Sequence, residues 1–249
     1  VRFSVVIPAY READRIGGTV KQLRSALADI AAEGGVEIIV VDDGSQDGTS
    51  AAALAAGVDQ AVTLEANRGK GEAVRAGVRV SSGDVVAFTD ADLAYAPDHL
   101  VVLLNEIESG SAVAIGDRRH SDSVSVTEPS RLRRAGSAVV TAVRVLLRLG
   151  DGSDSQCGLK AFSRPAAMIL CDASVMKRFS FDVEVLFLAQ RFGMTVKQVP
   201  VEVVNSDASS VRLMSDGWDL MVDMFRIRAR ALLGRYPKSS ELPQSKHLP

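Results

Sequence analysis

At 249 residues the chain is long enough for one large α/β domain or two small ones. Hydrophobic residues make up 47% and charged residues 24%, with a formal net charge of −2; this is ordinary globular composition and excludes a global drive towards nucleic acid. Cys157 and Cys171 lack metal-ligand spacing and offer no disulfide framework, so the expected compartment is a reducing cytoplasm. No stretch approaches the roughly 20 apolar residues of a transmembrane helix. The N-terminus opens on a strand-like run where a signal peptide would show a charged and then apolar leader. The expectation is a cytoplasmic protein that meets a membrane only from its surface.

In chain order, Phe3 to Ile7 reads as a buried strand ending at Pro8. Arg15 to Ala32 follows as a helix, with Ile16, Val20, Leu23, Leu27 and Ile30 at helical spacing. Val36 to Val41 is a β-branched strand closed by the turn-rich run Asp42 to Gly48. Ala51 to Ala56 is helical, Ala61 to Leu64 a short strand, Gly71 to Val80 a helix, Asp84 to Thr89 a strand, Pro97 to Ser109 a helix and Ser111 to Ile115 a strand. Such alternation predicts an α/β fold: a mixed, mostly parallel sheet covered by helices on both faces, with ligands at the shared edge of strand C-termini. Beyond it lie a polar loop (Ser121 to Pro129) and a basic amphipathic helix (Arg131 to Leu149). Strands at Gly158 to Phe162 and Val196 to Val201 flank a helix from Phe181 to Phe192, and Trp218 to Leu233 is a last helix before a disordered tail.

Asp90-Ala91-Asp92 follows the apolar strand directly. In extended geometry residues i and i+2 face the same way, so both carboxylates meet one spot on the ligand edge. Two hard oxygen donors beside a diphosphate suit Mg²⁺ or Mn²⁺, with substrate oxygens completing the octahedron. Asp42 and Asp43 end the second strand, where one can accept the imide N–H of uracil and the other can cap the next helix. Asn67-Arg68-Gly69-Lys70-Gly71 is a glycine-bearing loop opening a helix, and its backbone N–H groups and lysine suit a diphosphate. Taken singly, each of these is also a common turn, cap or Gly-rich joint.

Together, Val5-Val6-Ile7-Pro8-Ala9-Tyr10-Arg11-Glu12, Val41-Asp42-Asp43-Gly44-Ser45 and Asp90-Ala91-Asp92 resemble the inverting family 2 glycosyltransferases of the GT-A fold. Asn67 to Arg75, Asp154 to Phe162 and Phe181-Asp182-Val183-Glu184 are similar to the dolichyl-phosphate β-glucosyltransferase branch and to bacterial polyprenyl-phosphate sugar synthases. The resemblance implies one domain over residues 1–235, with a nucleotide-sugar half (1–118), an acceptor half (119–235) and a tail (236–249). It implies transfer from a UDP-sugar to a polyprenyl phosphate, aided by Mg²⁺ or Mn²⁺ at Asp92 and Asp90. The donor site would use Pro8, Tyr10, Glu12, Asp42, Asp43, Asn67, Lys70, Gly71, Asp90 and Ala91. Gln156, Lys160, Asp182 and Glu184 would shape the sugar or acceptor site. Arg118, Arg133, Ser137 and Arg212 would cradle the acceptor phosphate.

Two departures qualify the match. The neighbouring mannosyl branch carries a glutamine two residues after the second aspartate, where this chain has Ala94, which cannot ligate a metal. Glucosyl-branch members usually have an N-terminal membrane anchor, and none is expected here. An integral-membrane partner could supply that attachment. Arg131, Arg133, Arg134, Arg144 and Arg148 beside Val139, Val140, Val143, Leu146 and Leu147 give the basic amphipathic pattern of a membrane-surface helix, although a solvated arginine face packed on the domain has the same pattern.

A phosphate monoester acceptor has a second pKa of about 6 and is largely dianionic at pH 7. It needs no strong protein base, and the site's main task is electrostatic. Attack from the face opposite the leaving diphosphate would give a β-linked product from an α-linked donor. Three other functions stay open: transfer to a glycan hydroxyl, a non-catalytic nucleotide-sugar-binding membrane adaptor, and, more distantly, nucleotidyl transfer. Glucose and an N-acetylhexosamine such as N-acetylgalactosamine are both compatible as the sugar.

Overall fold

The computed structural model describes residues 1–125, 131–150, 154–204 and 215–239. The first half alternates as its apolar runs dictate: β1 (Phe3–Ala9), α1 (Ala13–Ala26), α2 (Ala28–Gly34), β2 (Val36–Asp42), α3 (Thr49–Ala55), β3 (Gln60–Thr63), α4 (Lys70–Val80), β4 (Val85–Phe88), α5 (His99–Glu108) and β5 (Val113–Asp117). The second half adds β6 (Val124–Ser125), α6 (Arg131–Leu146), β7 (Lys160–Ser163), α7 (Arg164–Ala173), α8 (Phe181–Arg191), β8 (Val196–Pro200), β9 (Glu202–Val203) and α9 (Ser215–Leu232).

Seven strands form one sheet in the order β3-β2-β1-β4-β7-β5-β8. β7 runs antiparallel to both of its neighbours, β4 and β5, and the remaining pairs are parallel. The sheet is therefore mixed and mostly parallel, the GT-A arrangement. Side chains alternate between its faces with period two. Val6, Ile39, Val41, Val86 and Phe88 pack with α4, α7, α8 and α9 on one side; Val5, Ile7, Ile38 and Val40 pack with α1 and α5 on the other. Strands buried on both faces have no polar period to show, which is why Val5 to Ala9 of β1 and Ile38 to Val41 of β2 read as continuous apolar runs. β6 and β9 form a separate parallel ribbon, Val124 opposite Glu202.

Five features differ from the sequence expectation, two of them the short strands β6, inside the predicted polar loop, and β9. The predicted helix from Arg15 to Ala32 is two helices, broken at Leu27. Leu23, Leu27 and Ile30 stay buried across the break, so hydrophobic period alone does not register it. α7 was not anticipated, although Pro165 in its first turn is a favoured helix-start residue. Tyr236, assigned by sequence to the tail, is buried and tilts against Phe187 with ring centroids 6.1 Å apart. The remainder of that tail, from residue 240, lies outside the described residues, as do 126–130 of the predicted polar loop. Among the described residues no helix is long and apolar enough to cross a membrane.

Candidate active site

The parallel pairings Ala9 with Asp42 and Val6 with Phe88 bring the C-terminal ends of β2, β1 and β4 to one edge. There β1 delivers Pro8 and the turn Tyr10 to Glu12, β2 delivers Asp42 and Asp43, and β4 delivers Asp90 to Asp92. Because β7 is antiparallel, it starts at the same edge, with Lys160 opposite both Phe88 and Ile115. The segment Asp154 to Gly158 therefore also arrives there. Arg11 and Leu93 hold positive φ values of 58° and 45°, uncommon for residues with side chains. Each is the residue at which the chain turns sharply out of the site.

Asp90 and Asp92 converge as the i, i+2 spacing predicts. The peptide between them is anchored from α1, where the Thr19 hydroxyl donates to the carbonyl of buried Ala91 at 2.6 Å. The Asp92 carboxylate accepts the Ala94 N–H at 3.1 Å. Burial and the adjacent Asp90 charge raise its pKa above the ordinary carboxylate range. Glu12, 3.5 Å from Arg15, is raised as well, by burial and in part by Asp92. Asp90, Asp92 and Glu12 thus bring three carboxylates to this edge, where Lys70 pairs with Asp90 and Arg15 with Glu12. Gly158 closes over Asp90, and a Cβ on that residue would collide with the aspartate's carboxylate.

Behind Asp90 runs a buried chain of alternating charge. Lys70 Nζ lies 2.8 Å from Asp90 Oδ1 and 3.2 Å from Asp182 Oδ2. Asp182 Oδ1 in turn accepts from Lys160 Nζ at 2.6 Å, and Lys160 also donates to the Cys157 carbonyl at 2.5 Å. Both ammonium groups sit over the Phe88 ring, 5.4 and 5.3 Å from its centroid. Burial opposes the charge on Lys70, but Asp182 and Asp90 outweigh it and raise its pKa. Burial likewise pushes the Asp182 pKa up, and Lys160 and Lys70 more than reverse that. Lys160 is wholly buried and Asp182 nearly so. They lie behind Lys70, Asp182 bridging the two lysines, whereas Asp90 reaches the open edge with its side chain one-third exposed.

Several predicted donor-site groups are already engaged. Asp43 does not cap α3; its two oxygens accept the N–H groups of Arg68 and Gly69, each at 2.7 Å. Asp47 instead meets the start of α3, accepting from the Thr49 N–H at 3.0 Å and from its hydroxyl at 2.6 Å. The N–H groups of Gly71 and Glu72 are taken by the Lys177 carbonyl at 2.7 and 3.3 Å. The loop from Asn67 to Gly71 is therefore not the backbone-amide phosphate cradle that its glycines suggest: four of its neighbouring N–H groups already have protein acceptors. Gly71 is buried where a Cβ would strike Phe181 and the Met176 carbonyl, so this glycine serves packing. What the loop presents to the edge is exposed Asn67 and the ammonium of Lys70. Asp42 is buried and accepts the Ser45 N–H at 2.9 Å through one oxygen. Tyr10 is exposed under the Arg11 guanidinium, 5.2 Å from the ring centroid.

Glu184 departs furthest from expectation. It is fully buried, with one oxygen accepting the N–H groups of Val175 and Met176 at 2.8 and 2.7 Å and the other accepting the Tyr236 hydroxyl at 2.6 Å. One oxygen fixes the 174–177 loop and the other holds Tyr236, and with no exposed surface Glu184 does not line an open site. Arg75 completes that clamp through Ser174, the Met176 carbonyl and Glu72. Neither Arg75 nor Tyr236 was singled out from the sequence; a buried arginine leaves no periodic signal.

On the acceptor side, Arg118 follows β5 and forms a two-pronged pair with Asp154, Nε at 2.5 Å and an Nη at 2.8 Å. Two of its donors are committed to a carboxylate, while its side chain stays 39% exposed. Gln156 is half-buried in the next turn. Arg133 and Ser137 lie on α6, whose packing partner is α9, and Arg212 lies outside the described residues. Arg144 is buried and thus withdrawn from the predicted basic face of α6, and Arg148 lies past its end.

Among the described residues no third His, Cys, Asp or Glu joins a metal-binding group. Two hard oxygen donors side by side still fit a divalent ion that takes its remaining ligands from phosphate and water, as Mg²⁺ commonly does.

Residues 4–170 match the family model for glycosyl transferase family 2. The chain is 32% identical to the dolichyl-phosphate beta-glucosyltransferase of Drosophila melanogaster over 95% of its own length and 77% of that protein. The human protein of the same name is also 32% identical, over 94% and 77%. Among solved structures, mannosyl-3-phosphoglycerate synthase from Rubrobacter xylanophilus shares the fold with a TM-score of 0.70 at 20% identity, covering 99% of this chain and 80% of that one. Glucosyl-3-phosphoglycerate synthase from Mycobacterium tuberculosis, crystallised with Mn²⁺, uridine diphosphate and phosphoglyceric acid, aligns with a TM-score of 0.67 at 25% identity over 96% and 80%. With its acidic pair at the edge of a GT-A sheet, this chain is a glycosyltransferase and belongs to glycosyl transferase family 2.

Proposed function

We propose that this enzyme transfers a sugar from a UDP-sugar to a polyprenyl phosphate at the surface of a membrane, with inversion at the anomeric carbon. The observation that carries the reading is the convergence of Asp90 and Asp92 with buried Lys70 at the sheet edge. The sequence likeness to dolichyl-phosphate beta-glucosyltransferases over most of both chains supports a lipid-phosphate acceptor. Glucose is the first donor to try, and N-acetylgalactosamine the alternative. In the cell the enzyme would sit on the cytoplasmic face, alone or with an integral-membrane partner, and feed cell-envelope glycan assembly.

Asp92, supported by Asp90, would hold Mg²⁺ or Mn²⁺, which when bound supplies charge neutralisation for the departing diphosphate. Asp42 would accept the uracil imide N–H, beside Tyr10 and Asn67. Lys70 now bridges two carboxylates; arrival of the diphosphate gives its ammonium a third anionic partner on the open side. Asp182 and Lys160 keep that ammonium charged and aimed. Arg118 is oriented by Asp154, and with Arg133, Ser137 and Arg212 it would hold the acceptor phosphate, whose own oxygen is the nucleophile.

The test is transfer from radiolabelled UDP-sugars with vesicles containing polyprenyl phosphate and Mg²⁺ or Mn²⁺. The expected product is chloroform-soluble and labile to mild acid. Arg133→Ala should weaken use of the lipid acceptor more than donor binding. A second reading, transfer to a small water-soluble acceptor, draws on the likeness to the synthase crystallised with phosphoglyceric acid. Label appearing only in a water-soluble product would select it.

A further inference from the structure

α9 is apolar on two opposite faces. Leu220, Met224 and Ile227 are buried against the domain. At about 100° per residue, Trp218, Phe225, Ala229 and Leu232 fall on the reverse side as a second stripe, and Leu233 extends it past the helix end. Trp218 is 71% exposed, Phe225 54%, Leu232 71% and Leu233 64%. Isolated exposed apolar residues need no explanation, but a contiguous row of large ones marks an interaction surface.

The charges beside the stripe indicate what it meets. Arg226 and Arg228 flank it on either side, and Arg230 and Arg235 lie nearby in a chain of net negative charge. Two acidic residues of the same helix are neutralised locally: Asp219 pairs with Arg178 at 3.1 Å, while Asp223 accepts from Ser180 and pairs with Arg226. An apolar stripe led by tryptophan and edged by long cationic side chains matches the boundary between headgroups and acyl chains, where the rings and stems bury and the guanidinium groups reach anionic lipid.

We propose that the outer face of α9, rather than the basic face of α6, is the surface by which this chain rests on an anionic lipid bilayer. This deepens the lipid-phosphate reading above and rests on it only for the acceptor. Packed beside α9, α6 would then be held close to the headgroups from which a prenyl phosphate projects.

Trp218 is the chain's single tryptophan, so its fluorescence reports on this face alone. The full chain is titrated with phosphatidylcholine vesicles, with and without phosphatidylglycerol. The expected result is a saturable blue shift, stronger on anionic vesicles. Phe225→Glu with Leu232→Glu should weaken binding by about tenfold or more. Arg226→Gln and Arg228→Gln should each cost about fivefold, on anionic vesicles only. The replaced apolar side chains are more than half exposed, so wild-type melting is expected and is checked by circular dichroism.

Four results would overturn the proposal: no shift with either vesicle; an undiminished shift in the double glutamate variant; emission already blue-shifted without lipid, which would mean another segment of the chain covers the face; or a wild-type dimer that the double variant converts to monomer. Turnover is measured in parallel on a short, water-soluble prenyl phosphate, which the double variant should still use. Vesicle binding without use of any prenyl phosphate would sink the functional reading and leave the docking face standing; transfer without vesicle binding would do the reverse.

Discussion

Asp182 and Glu184 stand two residues apart in the first turn of α8, and both are buried. On a helix that spacing turns side chains about 200° apart. Asp182 therefore faces the sheet edge and two lysines, and Glu184 faces inward to two backbone amides and a tyrosine. Around Asp182 the partners are two lysine ammonium groups, one of them shared with Asp90. Around Glu184 the partners are fixed donors that hold the 174–177 loop, whose Lys177 carbonyl sets the first turn of α4. One region handles charge and the other fixes the backbone that presents it.

The largest expected effect lies outside both. Asp92→Ala should lower kcat by about 10³-fold with the melting temperature close to wild type; substantial turnover by the folded variant would remove Asp92 from the metal role. Next is Asp182→Asn, for which kcat should fall roughly 100-fold. Removing one partner of a buried ion pair should also cost about 3–5 kcal/mol of stability, measured by denaturant unfolding. Its pH signature follows from the depressed Asp182 pKa. The carboxylate contributes stability above the ordinary aspartate value of 3.8 and loses it as pH falls through the folded value. The deficit of the variant should therefore shrink in acid.

Glu184→Gln is the converse probe. It should cost about 2 kcal/mol through a mismatched buried donor while kcat on the folded protein changes little; a kcat loss as deep as that of Asp182→Asn would erase the distinction between the two regions. Burial raises the Glu184 pKa, against the pull of Tyr236 and the two amides. A raised carboxyl contributes stability below the unfolded value of 4.5 and loses it as pH rises through the folded value. The deficit of this variant should shrink as pH rises, the opposite sign to Asp182→Asn. The smallest effect should come from Thr19→Val, which removes the bond to the Ala91 carbonyl, at about 1 kcal/mol and with a several-fold rise in KM for the metal.

Much of this was legible in the chain because the central strands β1, β2 and β4 are dominated by apolar residues and separated by turn residues. Asp90 and Asp92 meet as their spacing requires. Physical pairing across long separations was not legible. Asp43 looks like a helix cap until β2 and the loop before α4 are neighbours. Lys160 and Asp182 read as two substrate ligands until antiparallel β7 brings one against the other. Glu184 shares a motif with Asp182, and only the packing of α8 decides which of them turns inward. Arg144 sits in a basic pattern on paper, yet it is buried once α6 is packed.

The closeness of Gly158 to Asp90 carries an evolutionary consequence. The Asp90 carboxylate occupies the space a side chain at 158 would need, although 68 residues of sequence separate the two positions. A substitution at 158 cannot be accepted alone, because it would push the first acidic residue away from Lys70. In this chain the two positions are therefore constrained to change together.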